Sequence, residues 1–325
     1  MALVKERIPR LQDVYLAKRV VNRYLSPTPL IYSRQLSNLL ECQVYLKLEN
    51  LQPTRAFKIR GGINYMEKMK DQAVKSGVIT ASTGNHAQSI AYAGFLFGVK
   101  VTIVMPRGAP QMKIQAIKDL GANVITYGDV YDEALDYSQK LSAEIGYLFV
   151  HGVNEPLLHE GVATMHLEIF EQKPEIDVVI NPIGGGSGAS GACIVYKTLN
   201  PSIRVIGAQA KGAPAFYLSW KEGRLRSTSE PVTTAAEGLA TSRAYELSLS
   251  SLQGRLDDII LVEDDEMRRA VKTIFLATGQ IAEMSGAAST AAAFKIKDQI
   301  RHKNIALLVS GGNIESEQLV KILQQ

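Results

Sequence analysis

The stretch DVVINPIGGGSGASG (177–191) decides how the chain is read. A short, strongly apolar run leads into three consecutive glycines, and Ser187, Gly188 and Gly191 follow. Such a run, without polar–apolar alternation, reads as a strand buried on both faces, the habit of parallel sheets covered by helices. Glycine has no Cβ, so successive N–H groups after such a strand can converge on one phosphate. Gly186, Gly188 and Gly191 also satisfy the G-x-G-x-x-G dinucleotide fingerprint. That fingerprint needs an acid about 20 residues on, at the end of the next strand, for the ribose. Here that strand, IRVIGAQ, ends in Gln209, which favours a single phosphate over a dinucleotide.

Outward from this loop the same grammar repeats. QVYLKLEN (43–50), GVITAS (77–82), VKVTIVM (99–105), NVITYG (123–128), YLFVHG (147–152), IRVIGAQ (203–209), DIILVE (258–263) and IALLVSGG (305–312) read as further strands. Helical segments at 85–98, 110–121 and 131–146 lie between them, with Pro110 opening one and Gly121 closing it. Strands alternating with helices predict an α/β fold of open, twisted, mostly parallel sheets with helices on both faces. Ligands of such sheets bind in the loops beyond the carboxyl ends of the strands.

The bulk numbers bound the rest. The chain has 325 residues, 46% hydrophobic and 21% charged, with a net charge of +4. Basic and acidic residues are interleaved, so no arm for nucleic acid or a membrane surface is expected. No apolar run approaches the roughly 18 residues that span a bilayer, and the amino-terminal stretch lacks the apolar core of a signal segment. Cys42 and Cys193 form no C-x-x-C pair and read as small buried hydrophobes; the expected location is cytoplasmic.

Three more places carry chemistry. In ENLQPTRAFKIRGG (49–62), Lys58 stands between Phe57 and Ile59, with Arg55 and Arg60 close by. Desolvation and neighbouring positive charge both favour the neutral amine that attacks a carbonyl. In ITASTGNHAQS (79–89), Ser82, Thr83, Asn85 and His86 sit at a strand end where a helix begins, a site sized for a carboxylate. In LLVSGGN (307–313), Ser310 ends the last strand and can hydrogen-bond a heterocycle nitrogen. A lysine for an aldehyde, a cradle for a phosphate and a hydroxyl for a ring nitrogen together specify pyridoxal 5'-phosphate.

The motifs FKIRGG, STGNHAQ, GGGSG, EGLAT, EMSGAA and SGGN, in that order over nearly the whole chain, resemble those of the serine/threonine dehydratase and serine racemase branch of the fold type II, tryptophan-synthase-β-like pyridoxal-phosphate enzymes. The resemblance implies that Lys58 holds the cofactor as an aldimine and takes the substrate α-proton. It implies that Phe57 packs near the ring and that Asn85 bonds its phenolic oxygen. Gly184, Gly185, Gly186, Ser187 and Gly188 would wrap the phosphate, and Ser310 would meet the pyridine nitrogen. Gly238 and Glu283 would line the cofactor pocket. Ser82, Thr83, Asn85 and His86 would frame the substrate carboxylate. Thr83 stands where racemases place a reprotonating serine, so it too is expected to be catalytic.

The implied activity is an ammonia-lyase that converts a β-hydroxy amino acid such as L-threonine or L-serine, through an aminoacrylate, to a 2-oxo acid and ammonia. The alternatives are an amino-acid racemase, or a dehydratase of 3-hydroxyaspartate or a bulkier substrate with Arg55 or Arg243 on a second acidic group. The resemblance further implies a homodimer or homotetramer acting on a small molecule. It implies a large cofactor-binding domain (1–52 and 151–325), a small closing domain (53–150) and no carboxyl-terminal regulatory domain. Metal-dependent members carry acids where Gln209 and Ala215 stand, so no metal is expected there, and Lys211 could supply the charge instead.

Overall fold

The computed structural model describes residues 7–228 and 231–325; the first six residues of the amino-terminal stretch discussed above lie outside them. The strands in chain order are β1 (Leu30–Tyr32), β2 (Gln43–Leu48), β3 (Val78–Ala81), β4 (Val101–Met105), β5 (Asn123–Thr126), β6 (Leu148–Phe149), β7 (Val178–Pro182), β8 (Arg204–Ala210), β9 (Asp258–Val262) and β10 (Asn304–Val309). They form a six-stranded sheet in the order β1-β2-β10-β7-β8-β9 and a four-stranded sheet in the order β5-β4-β3-β6. Every pairing is parallel except β1 with β2.

The nine strands expected from apolar runs are all present, with ends shifted by one to three residues. β1 is the strand the sequence hides. Three residues behind Pro29 are too few to show a period, and the pairing Leu30↔Lys47 that creates it is tertiary. The expected helices run Asn85–Phe97, Gln111–Asp119 and Tyr131–Ile145, with Pro110 as an N-cap and Gly121 at φ 79° behind the second.

Burial on both faces explains the unbroken apolar runs. Along β10, Ile305, Leu307 and Val309 enter the core on one side of the sheet, with Leu46, Val178 and Ile180. Ala306 enters the core on the other side, with Val179 and Val205. A further core packs Ile59, Ile63, Ile90 and Ile103 beneath the four-stranded sheet. The helix Leu11–Val21 reaches two of these cores, with Val14 in one and Val21 in the other. Cys42 and Cys193 are buried free thiols, pushed up to about 11 and about 12 by desolvation. No helix among the described residues is long and apolar enough to cross a membrane.

Leu307, at 0% exposure in the middle of β10, tests this packing. Leu307→Ala should cost about 2–5 kcal/mol in urea unfolding, from lost transfer energy and the cavity left behind. Leu51→Ala, at a residue 52% exposed, should stay within about 0.5 kcal/mol.

Candidate active site

A cleft of about 820 Å³ lies where strand ends of the two sheets face each other. The ends of β3 and β4 supply Ser82 and Pro106, and the ends of β7 and β10 supply Pro182 and Ser310. That size suits a cofactor together with a small substrate.

Lys58 immediately precedes the helix Ile59–Lys68, at the bottom of the cleft. Its Nζ donates to Ser187 Oγ at 2.9 Å and lies 5.4 Å from the Phe57 ring centroid. Phe57 N–H donates to the carbonyl of Ser310 at 3.1 Å, which ties the lysine segment to the end of β10. Burial pushes the Lys58 ammonium down to about 8. The flanking arginines, expected to help, do not. Arg55 is exposed, with its backbone in the left-handed region at φ 55°. Arg60 is fully buried and spends its charge on Glu49 and Glu168. Desolvation alone moves the amine.

The glycine loop fits a phosphate. It precedes the helix Ser187–Leu199, whose first-turn N–H groups have no helical acceptors and so face an incoming anion. Gly186 caps that helix at φ 92°, a conformation that strains any side chain. A Cβ on Gly184 would stand 2.1 Å from the carbonyl oxygen of Gly238, so the EGLAT segment closes directly over the loop. Behind the loop, the buried His166 holds Nε2 3.0 Å from the carbonyl oxygen of Gly188. A carbonyl only accepts, so Nε2 carries the proton; burial holds this imidazole neutral, down to about 3. No local pattern marks His166 in the sequence.

Across the cleft, the helix Asn85–Phe97 starts after Gly84. Asn85 Nδ2 donates to Glu283 Oε1 at 2.7 Å, and Asn85 Oδ1 accepts from Asn313 Nδ2 at 2.8 Å. Asn85 is thereby fixed in one orientation. Asn313 lies within the SGGN motif, yet nothing in the sequence marks this task. Burial pushes the Glu283 carboxyl up to about 7, against the hydrogen bond from Asn85. Ser82, Thr83 and Gly238 also line the cleft.

His86 lines the cleft too, with its imidazole held by a strand residue. Thr80 Oγ1 donates to the carbonyl of Val150 at 2.6 Å and therefore accepts from His86 Nε2 at 3.0 Å. The ring packs under Gly152 and is held neutral by burial, down to about 3. His86 also offers the cleft the backbone N–H at its helix start.

Two further cations raised from the sequence are paired with acids, whereas the exposed Arg55 does not line the cleft. Arg243 pairs with Asp132, and Lys211 pairs with Glu263 at 2.6 Å. Gln209 Oε1 accepts from Tyr217 N–H at 2.8 Å. At the cleft mouth Lys113 pairs with Glu237. The donor set therefore fits pyridoxal phosphate: a lysine at the cleft floor, an anion cradle beside it, a fixed amide opposite and a strand-end hydroxyl.

Comparison with known proteins agrees with the geometry. The profile of the family described as pyridoxal-phosphate dependent enzyme matches residues 21–311. The chain is 36% identical to an L-threonine ammonia-lyase of Thermotoga maritima, over 97% of this chain and 78% of that protein. It superposes on the processed form of threonine deaminase isoform 2 from Solanum lycopersicum with a TM-score of 0.90 and 31% identity, over 100% of this chain and 93% of the other. On maize serine racemase the TM-score is 0.92 at 31% identity, covering 98% of both chains. The phosphate cradle, the desolvated lysine beside it and a family match spanning both sheets make this chain a member of the pyridoxal-phosphate dependent enzyme family, of fold type II.

Proposed function

We propose that the protein is an ammonia-lyase that converts a small, uncharged β-hydroxy amino acid, L-threonine or L-serine, to a 2-oxo acid and ammonia. The observation that carries this is the Lys58 amine, desolvated and held 2.9 Å from a hydroxyl at the phosphate cradle. The names of the similar proteins, L-threonine ammonia-lyase and threonine deaminase, support the reaction class.

Bound at the cradle, pyridoxal phosphate supplies the electron sink that acidifies the substrate Cα–H and lets the β-hydroxyl leave. The protein's residues do the rest. Gly184 to Gly188 and the helix start would hold the phosphate. Ser310 would meet the ring nitrogen without imposing a charge. Asn85, locked by Glu283 and Asn313, would hold the phenolic oxygen. Ser82, Thr83 and the N–H groups of Asn85 and His86 would hold the substrate carboxylate. Lys58 Nζ would take the α-proton as the neutral amine that burial favours.

The side-chain class follows from charge. Lys58 and Lys113 line the cleft, and Lys113 is paired with Glu237. Asp129 and Asp132 face the same mouth, and Asp132 already holds Arg243. A second substrate carboxylate would find its cations taken and acids opposite it, which argues against 3-hydroxyaspartate. Both ion pairs bridge the two sides of the cleft. They support a small unit within 53–150 that closes on a larger one, 1–52 with 151–325, although the start of 53–150, from Ala56 through Arg60, is fastened to the larger unit. A racemase reading is favoured by Thr83, which lines the cleft with a hydroxyl, and by the similarity to maize serine racemase.

Release of 2-oxo acid from a panel of β-hydroxy amino acids, with chiral detection of free amino acid, decides among these readings. Threonine or serine should be turned over with kcat/KM at least about 100-fold above 3-hydroxyaspartate, the penalty for an unpaired buried charge. Accumulation of D-amino acid without 2-oxo acid would transfer the assignment to a racemase. Lys58→Ala should lower release to background.

The lowered Lys58 pKa makes a separate prediction for the apoprotein. Only the neutral amine attacks the aldehyde, so the rate of pyridoxal phosphate attachment should rise with pH and level off above about 8. Stopped-flow absorbance would follow it. A rate still climbing at pH 10 would mean the amine is hydrated and ordinary.

A further inference from the structure

Two residues beyond Lys58 lies a cluster of four buried charges that the chemistry above does not use. Arg60 meets Glu49 through Nε and Nη2, both at 2.8 Å. It meets Glu168 through Nη1 at 2.6 Å and Nη2 at 2.8 Å. Lys47 Nζ donates to Glu168 Oε2 and to the carbonyl of Thr28, each at 2.7 Å. These four side chains are at most 2% exposed. Burial opposes the charges of Lys47, Glu49 and Arg60, yet Arg60 holds the Glu49 carboxyl down at about 2. Two cations and two anions leave no net charge.

Stability alone is a poor reason for such a cluster, because well-packed apolar residues of similar volume commonly do as well. What apolar side chains lack is direction. A guanidinium forked onto two carboxylates fixes the orientation of its own backbone as well as its position. The partners belong to the rigid frame: Lys47 to β2, Glu49 to the turn that follows it, and Glu168 to the helix Pro156–Gln172.

That helix also registers the other half of the site. Gly161, Thr164 and Glu168 recur at three- to four-residue spacing and meet the lysine helix. A Cβ on Gly161 would stand 2.4 Å from the carbonyl oxygen of Arg60, and Arg60 Nη1 reaches Thr164 Oγ1 at 3.2 Å. Ala163 and His166 meet the cradle helix instead. Ala163 stands 2.8 Å from the position a Cβ on Gly191 would take, and His166 bonds Gly188. The lysine and the cradle are thus aligned on opposite flanks of one helix.

We propose that Arg60 is a positioning residue: its fork onto Glu49 and Glu168 locks the first turn of the lysine helix to the frame that carries the phosphate cradle, and so sets Lys58 Nζ against Ser187 and the cofactor. The kinetic consequence rests on the function proposed above; the positional one does not.

Two variants test it. Arg60→Lys keeps the charge and loses the fork. The neutral set Lys47→Met, Glu49→Leu, Arg60→Met and Glu168→Leu removes all four charges together, so no ion is stranded. Each is examined for cooperative unfolding, for kcat and KM with threonine, and, as apoprotein, for amide hydrogen exchange at residues 59–62. A folded variant should exchange those amides at least about 10-fold faster than the wild type. Its kcat should fall by about 10- to 100-fold with KM within about threefold, the signature of a displaced reacting group. Unchanged exchange with kcat within twofold, in either folded variant, overturns the proposal. Failure of both to fold assigns the cluster to stability and also overturns it. If the wild type turns over no amino acid, the proposed function falls while the exchange result still decides the role of Arg60.

Discussion

The constraint on which the site depends is the removal of water from one amine. Lys58 is the residue whose value requires that an ammonium be made expensive, and burial alone does this. Burial needs a cleft floor, and the floor needs two sheets brought end to end. The bond from Phe57 N–H to Ser310 and the bridge between Ala56 and Gly311 fasten the lysine segment to the last strand of the larger sheet. The contact of Lys58 with Ser187 then places the amine where a phosphate-bearing aldehyde would sit.

The surrounding polar groups hold position without adding charge at the amine. Asn85 is held from both ends, by Glu283 and Asn313. His86, His159 and His166 are buried and kept neutral, the last two each bonded to a backbone carbonyl, of Val153 and Gly188 respectively. Each imidazole is tied to a neighbouring segment and adds no net charge. The buried charges two residues from the lysine cancel among themselves. The depressed pKa of Lys58 is therefore set by desolvation.

Much of this was legible in the chain. The apolar runs gave nine of the ten strands among the described residues, because strands buried on both faces need no alternation to be recognised. The glycine loop was legible because positive φ and close backbone approach select glycine, as Gly186 and Gly184 show. What stayed hidden depends on partners far away in sequence. β1 exists only through β2. Arg60 looked like a cation acting on Lys58 because Glu168 lies 108 residues away, in a helix that signals nothing locally. The bond that holds the His86 imidazole stayed hidden because Thr80, six residues before it, reads as an ordinary strand residue. Asn313 and His166 have no local signal: their meaning is the hydrogen bond each makes across the fold.

The central claim is that Lys58 is the residue to which the cofactor attaches. Reduction of the cofactor-bound protein with borohydride, followed by peptide mapping by mass spectrometry, tests it most directly. The account requires a pyridoxyl-phosphate mass increment on the peptide containing Lys58 and on no other lysine. An increment on Lys113 at the cleft mouth, or a Lys58→Ala protein that still carries a reducible cofactor, would contradict it.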